Sequence, residues 1–183
     1  MININSLDKL IEDSENEILN IRPDTEKKII WANQNKVKTK ISLIFIHGFS
    51  ATRAELDPVI EMLGKELNAN IFFTRLRGHG LDGEALAEAT FDDWMIDTKE
   101  AIDIGNAIGD SLILIGCSTG CSLIHANLQY TENALAIIYV SPNFGPKSFF
   151  GQLLRIPGAE WFIPFIFGKE YSFVPRNADH ARC

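Results

Sequence analysis

The sequence predicts an α/β protein with a doubly wound, mostly parallel β-sheet. Strand-like segments alternate with helical periodicities from residue 41 to residue 140, which is the pattern of strands joined by crossover helices. The strand-like segments are nearly continuous apolar runs, as expected of strands that are covered on both faces. A chain of 183 residues that is 46% hydrophobic can bury a core, so we expect one domain or part of one.

Four strands of the predicted sheet are marked by runs of apolar, β-branched and aromatic residues. These segments are residues 41–46, 71–74, 112–115 and 135–140. A shorter strand is expected at residues 29–31 (Ile-Ile-Trp), with a segment near residues 18–21 as its partner.

Three helices are expected between these strands, at residues 52–67, 90–109 and 119–130. Thr52, with Glu55 three residues on, has the S/T-x-x-E pattern of a capping box, and apolar residues follow at helical spacing. Thr90 and Asp93 mark the start of the second helix in a similar way. An Arg-Gly-His-Gly turn and a polar loop after it occupy residues 77–88.

Composition and charge exclude several classes of partner. The net charge is −7, with 24 acidic against 17 basic residues, and no basic stripe is available for nucleic acid. The first twenty residues lack a basic region followed by an uninterrupted apolar run, and no stretch reaches the roughly 18 apolar residues of a membrane span. We therefore expect a cytoplasmic protein without a stable membrane span.

The three cysteines form no metal-binding or redox pattern. Cys117 and Cys121 have a spacing that suits neither a zinc knuckle nor a C-x-x-C motif. We interpret them as small packing residues, and we expect neither a metal nor a cofactor. A reactive thiol at Cys117 is the alternative, because a helix N-terminus lowers the pKa of a nearby thiol.

Residues 116–120 read Gly-Cys-Ser-Thr-Gly, a G-x-S-x-G motif that follows a buried strand and opens a helix. A sharp strand-to-helix turn exposes the Ser118 hydroxyl, and glycines two residues to either side avoid clashes with neighbouring backbone. The helix N-terminus aims N–H groups at the space above that hydroxyl. Ser118 is therefore the candidate nucleophile, and the Thr119 N–H is the first candidate oxyanion donor.

A second oxyanion donor is expected from the loop after the strand at residues 41–46. In this loop Gly48 lets the backbone come close, and Phe49 presents its N–H. We interpret His47 as a residue whose ring bonds to nearby backbone and holds the loop, with proton transfer as the alternative.

Together these motifs resemble the α/β-hydrolases, and within them the serine esterase, monoacylglycerol-lipase-like and serine-aminopeptidase-like group. The matching landmarks are His-Gly-Phe at residues 47–49, Arg-Gly-His-Gly at residues 77–80 and the motif at residues 116–120, and the resemblance covers residues 41 to about 145. It implies an α/β-hydrolase fold and a small-molecule ester or acyl substrate with an apolar part. It also implies that His79 shapes its turn and is not a base.

The resemblance further implies a helical lid after the strand that follows the motif. We therefore divide the chain into the N-terminal part of a hydrolase core at residues 1–145 and a lid segment at residues 146–183. Aromatic residues crowd within the lid segment, which implies an apolar substrate pocket. Ordinary core packing against the sheet and a lid with affinity for a membrane interface are the alternatives.

In such enzymes the catalytic acid and histidine lie beyond the lid, at the ends of two further strands. Here the candidate base after the lid is His180, preceded by Asp179, and no buried strand holds it over Ser118. His125 lies within the helix after the motif and points elsewhere. We therefore expect a sheet that lacks its last strands, a chain truncated at or just after the lid, and completion by a complementing C-terminal chain.

The sequence thus predicts a hydrolase of carboxylic esters that acts through an acyl intermediate on Ser118 and is inactive or incomplete as this chain alone. A non-catalytic truncated fragment that needs a second chain is the alternative. A thioesterase and a cofactor-independent haloperoxidase use the same serine and stay compatible. A dehalogenase is excluded, because it needs an aspartate at the position of Ser118.

Overall fold

Five strands form one sheet in a computed structural model that describes residues 2–145 and residue 157. The expected lid segment, together with Asp179 and His180, lies outside the described residues apart from Pro157. The strands are β1 (Lys28–Ile30), β2 (Thr39–Ile46), β3 (Asn70–Phe73), β4 (Gly109–Cys117) and β5 (Ala134–Val140). The helices are α1 (Leu7–Asn16), α2 (Val59–Leu67), α3 (Gly83–Glu88), α4 (Phe91–Ile108) and α5 (Thr119–Ala126).

The strand order is β1-β3-β2-β4-β5, and the sheet is mostly parallel. β2 pairs in parallel with both β3 and β4, and β4 pairs in parallel with β5. Only β1, within the described part of the chain, runs antiparallel to its neighbour. The predicted α/β fold class and its parallel sheet are therefore confirmed.

Side chains of the central strand β2 alternate between two apolar layers, which is why its sequence is a continuous apolar run. Ile44 and Ile46 pack in the layer that α1, α4 and α5 cover. Leu43 and Phe45 pack in the opposite layer, which includes Ile60 of α2. Both faces of the sheet are therefore buried, as in doubly wound folds.

Two sequence expectations about this sheet and its connections are wrong. β1 pairs with β3 and not with residues 18–21, because those residues form turns in which Asn20 takes a left-handed backbone (φ 64°). A short helix, α3, replaces part of the expected polar loop. The Asp82 carboxylate accepts a hydrogen bond from the Ala85 N–H (2.9 Å) and caps its start.

The helix expected at residues 52–67 is also different in the structure. A 3₁₀ turn at Arg53–Leu56 and the helix α2 are separated at Pro58, which has no N–H to continue a helical hydrogen-bond ladder. Thr52 caps the 3₁₀ turn by accepting a hydrogen bond from Ala54, but Glu55 does not close a capping box. Its carboxylate instead accepts a hydrogen bond from the Gly48 N–H.

The capping box predicted for the second helix is confirmed. The Thr90 side chain accepts a hydrogen bond from the Asp93 N–H, and the Asp93 carboxylate accepts one from the Thr90 N–H. The helix ends at Ile108, and Gly109, the expected stop, follows it and begins β4. The third helix ends at Ala126, and a separate 3₁₀ turn follows at Leu128–Tyr130.

A buried ion pair fastens α1 to the turn that follows β3. The Arg75 guanidinium donates two hydrogen bonds to the Glu15 carboxylate, at 2.8 and 2.9 Å, and both side chains are buried. The Lys27 N–H donates a third, at 3.0 Å. Burial raises the pKa of Glu15, but these hydrogen bonds and the neighbouring positive charges outweigh it and hold the pKa below its ordinary value.

Replacing one member of this pair is expected to destabilise the fold strongly. Glu15→Gln leaves the Arg75 charge buried without a counter-charge, so the free energy of unfolding should fall by about 3 kcal/mol. Urea unfolding followed by circular dichroism measures the change. Glu12→Gln, on the exposed face of the same helix, is the matched control and should change stability by less than about 0.5 kcal/mol. Equal losses in the two variants would contradict a structural role for the ion pair.

Candidate active site

Ser118 occupies a sharp turn between β4 and α5. Its backbone takes a left-handed conformation (φ 49°, ψ −111°) that a non-glycine residue adopts only where surrounding structure holds it. A Cβ added to Gly120 would collide with the Ile46 carbonyl oxygen, and one added to Gly116 would lie 2.8 Å from the Cys121 nitrogen. Only glycine fits at these two positions, as the motif predicts.

The backbone of Ser118 is held by the end of β5 and the loop after it. The Ser118 N–H donates a hydrogen bond to the Val140 carbonyl (3.0 Å), and the Ser118 carbonyl accepts one from the Asn143 N–H (3.3 Å). The Ser122 hydroxyl in turn donates to the Asn143 carbonyl. These contacts fix both peptide groups of the strained residue.

The loop after β2 lies against the Ser118 turn. β2 and β4 pair with Ile46 opposite Gly116, so their carboxyl ends meet at the same edge of the sheet. A Cβ added to Gly48 would lie 3.1 Å from the Ser118 Cβ, which shows how closely the two loops approach. Phe49 follows directly, and its side chain is 55% exposed.

Two backbone amides at this edge have no hydrogen-bond acceptor among the described residues. Thr119 is the first residue of α5, where an N–H has no acceptor within the helix. Neither its amide nor that of Phe49 is a donor among the backbone hydrogen bonds of the described loops and turns. An amide in this situation is available to a ligand oxygen.

His47 is fully buried, and both ring nitrogens bond to backbone. The Leu76 N–H donates to Nε2 (3.2 Å), so Nδ1 carries the proton and donates to the Gly48 carbonyl (2.9 Å). Burial, with smaller contributions from the neighbouring His79 and Arg75, lowers the pKa of His47 to about 3, although the hydrogen bond to Gly48 acts in the opposite direction. The interpretation of His47 as a residue whose ring bonds to nearby backbone and holds the loop is confirmed.

His79 lies beside His47, with ring centroids 4.8 Å apart, and is bound in the same manner. The Ser50 N–H donates to its Nε2 (3.2 Å), and its Nδ1 lies 3.2 Å from the Arg77 carbonyl, to which it donates. Its expected role in shaping the turn fits these contacts. Burial lowers the pKa of His79 as well.

Three further side chains were singled out in the sequence, and they are Cys121, Cys117 and His125. Cys121 donates to the Gly116 carbonyl (3.0 Å) and packs as expected. Burial first and then the nearby Glu55 carboxylate raise the pKa of the Cys117 thiol to about 12, which is opposite to the lowered pKa that the reactive-thiol alternative requires. His125 is exposed on α5, and its ring contacts Phe144 (5.4 Å between centroids).

Two residues at this edge of the sheet were not expected there. Glu55 was interpreted as a helix cap, and its pattern gives no signal for the contact with Gly48. Trp94 lies within the helix expected at residues 90–109. In the structure its indole N–H donates to the Arg77 carbonyl (2.9 Å), and its ring contacts those of Phe49 (6.0 Å between centroids) and His79 (5.5 Å). These rings form an aromatic group around the loop after β2, whose Gly48 approaches the Ser118 turn.

The described residues contain no group of three or more His, Cys, Asp or Glu side chains arranged to hold a metal ion. Within the same residues, no helix has the length and apolar character needed to cross a membrane.

The lowered pKa of His47 predicts that stability falls as the solution becomes acidic. Between pH 6.5 and about 3 the unfolded chain binds a proton at this ring and the folded chain does not. The free energy of unfolding therefore decreases as the pH falls through that window, by up to about 1.4 kcal/mol per pH unit for this residue. His79, whose pKa is also lowered, adds to the slope.

Urea unfolding at several pH values between about 7 and 4.5 tests this. The slope should become shallower in His47→Gln, whose side chain does not titrate, and should be retained in His125→Gln, which alters an exposed ring. A wild-type slope in His47→Gln would mean that another group carries the pH dependence.

Comparisons with known proteins identify the family of this chain. The chain resembles a solved structure from work on LipS and LipT, two metagenome-derived lipolytic enzymes, at 22% sequence identity and a TM-score of 0.63. The match covers 75% of this chain and 54% of the other, so the chain spans about half the length of that structure, and the likeness shows the fold. No curated protein matches the chain. A family model described as the alpha/beta hydrolase family matches residues 43–181, which is more than half of the chain, and the chain therefore belongs to that family.

Proposed function

We propose that this chain is a serine hydrolase of carboxylic esters that acts through an acyl intermediate on Ser118. The observation that carries the proposal is the strained backbone of Ser118 (φ 49°) between β4 and α5, at the edge of the sheet where the loop after β2 meets it. Backbone strain of this kind costs about 1–3 kcal/mol, and residues that carry it cluster at active sites and ligand-binding sites. Family membership supports the same conclusion.

The oxyanion donors of the proposed reaction are the backbone amides of Phe49 and Thr119. When the serine oxygen attacks an ester carbonyl, the carbonyl oxygen gains negative charge that preorganised N–H groups stabilise more strongly than the starting carbonyl. The position of Thr119 at the start of α5 adds the positive end of the helix dipole. The short distance between Gly48 and Ser118 supports a role for the next amide, that of Phe49.

The proposed substrate is a small-molecule ester or acyl compound with an apolar part. The aromatic group of Phe49, His79 and Trp94 supports this, because apolar and aromatic side chains line most pockets for such ligands. The structural likeness to a lipolytic enzyme agrees with it. In this proposal residues 1–145 form the N-terminal part of the core, and residues 146–183 form the lid segment.

The base and the acid of the proposed reaction are not His47 or His79, because both rings already bond to backbone through both nitrogens. We propose that these groups come from residues outside the described part of the chain or from a complementing chain. A base must take the serine proton for attack to proceed at neutral pH.

A non-catalytic role for this chain, as a fragment completed by a second chain, is the second candidate. β5 supports it, since it is the last strand of the sheet within the described residues, and its side chains Leu135 and Ile138 are 63% and 40% exposed. An exposed apolar edge strand offers unpaired backbone groups that another chain can pair with.

An activity-based fluorophosphonate should label the full chain at Ser118. We expect Ser118→Ala to abolish labelling and to lower hydrolysis of a short p-nitrophenyl ester by at least about a thousandfold. Ser111→Ala, at the opposite end of β4, is the matched control and should keep the wild-type labelling rate. Labelling that persists in Ser118→Ala would contradict the assignment of the nucleophile. An unlabelled but folded wild-type chain would contradict catalysis by this chain alone and favour the second candidate.

A further inference from the structure

An acidic side chain lies beside the proposed oxyanion site and has no part in the reaction described above. Glu55 belongs to the 3₁₀ turn at Arg53–Leu56, and its Oε2 accepts a hydrogen bond from the Gly48 N–H at 2.7 Å. Its Oε1 lies 2.9 Å from the point that a Gly48 Cβ would occupy. Both carboxylate oxygens therefore face Gly48.

The same carboxylate lies next to the residue that precedes Ser118. The point that a Gly48 Cβ would occupy lies 2.9 Å from the Glu55 Oε1 and 3.4 Å from the Cys117 carbonyl oxygen. The charge of Glu55 also helps burial to raise the pKa of the Cys117 thiol. Glu55 thus stands between two loops, one carrying Gly48 and Phe49 and the other carrying Ser118. A charged acceptor makes a shorter and stronger hydrogen bond than a neutral one.

The backbone of the turn that carries Glu55 is itself fixed. The Glu55 N–H donates to the Thr52 carbonyl (3.0 Å), and Thr52 also caps the turn. The neighbouring Arg53 is buried and pairs with Asp24 at 3.2 Å. The backbone from which the Glu55 side chain extends is therefore well defined.

Gly48 is held at both of its peptide groups. The peptide before it is held through its N–H by Glu55, and the peptide after it is held through its carbonyl by the Nδ1–H of His47 (2.9 Å). The second of these peptides carries the Phe49 N–H, on the side opposite the carbonyl. Because glycine has no Cβ and rotates freely, two anchors are needed to fix its backbone angles.

We propose that Glu55 is a positioning residue for the oxyanion site, whose carboxylate anchors Gly48 so that the Phe49 N–H faces the space above Ser118. This inference rests on the proposed function of Ser118 and names a residue that acts through the loop and does not touch substrate. The essential property of Glu55 is that it accepts a hydrogen bond. A glutamine, which keeps an acceptor oxygen and lacks the charge, should therefore substitute for it.

Kinetics of three variants of the full chain test the proposal. With a short p-nitrophenyl ester, Glu55→Ala should lower kcat about 10- to 100-fold with KM changed less than about twofold, because a misdirected donor weakens binding of the transition state more than that of the substrate. Glu55→Gln should restore kcat to within about threefold of wild type. Glu66→Ala, on the exposed face of α2, is the matched control and should leave both constants unchanged.

Nuclear magnetic resonance of the Gly48 amide gives a readout that needs no activity. In Glu55→Ala the amide proton should shift upfield and exchange faster with solvent, whereas in Glu55→Gln it should keep most of its protection. An inactive wild-type chain would contradict catalysis by this chain without a partner, and the Gly48 amide would still decide the role of Glu55. The positioning role is overturned if the chemical shift and exchange rate of the Gly48 amide are unchanged in Glu55→Ala, or if that variant keeps wild-type kcat. It is also overturned if kcat falls as far in Glu55→Gln as in Glu55→Ala.

Discussion

The close approach of the Ser118 turn to the carboxyl end of β2 is the constraint on which the site depends. It requires the parallel pairing of β2 with β4, which aligns Ile46 with Gly116, and it requires glycine at position 120, where a side chain would strike the Ile46 carbonyl. Parallel strands end at the same edge of a sheet, so two loops far apart in sequence meet there. A different register would separate Gly48 from Ser118 and leave no common site.

The strained backbone of Ser118 is held in place by elements that contribute no reacting group. The Val140 carbonyl at the end of β5 accepts a hydrogen bond from the Ser118 N–H. In the loop after β5, the Asn143 N–H donates one to the Ser118 carbonyl. A residue in a left-handed conformation persists only where its surroundings hold it, so the parallel pairing of β5 with β4 is part of the geometry of the site. The stability of the sheet and the shape of the turn are therefore linked.

Local patterns predicted the elements that local chemistry determines. The apolar run of β2, the Thr90 and Asp93 capping box and the glycines around Ser118 each act within a few residues, and each was expected from the sequence. Contacts across long sequence separations gave no such signal. Glu15 and Arg75 are 60 residues apart, and the T-x-x-E pattern at Glu55 fits a helix cap as well as a contact with Gly48. The oxyanion roles of Phe49 and Thr119 stay predictions.

The two buried imidazoles hold backbone at this edge of the sheet, and for the same reason neither ring is available to accept the Ser118 proton. His47 and His79 each accept one backbone N–H, and each ring lies within hydrogen-bonding distance of a backbone carbonyl, so protonation of either ring would break a hydrogen bond that shapes a loop. Burial lowers the pKa of both, which keeps them neutral. Histidines arranged in this way hold Gly48 and the turn after β3 in place. A base for Ser118 must therefore be a group that is not already committed to the backbone.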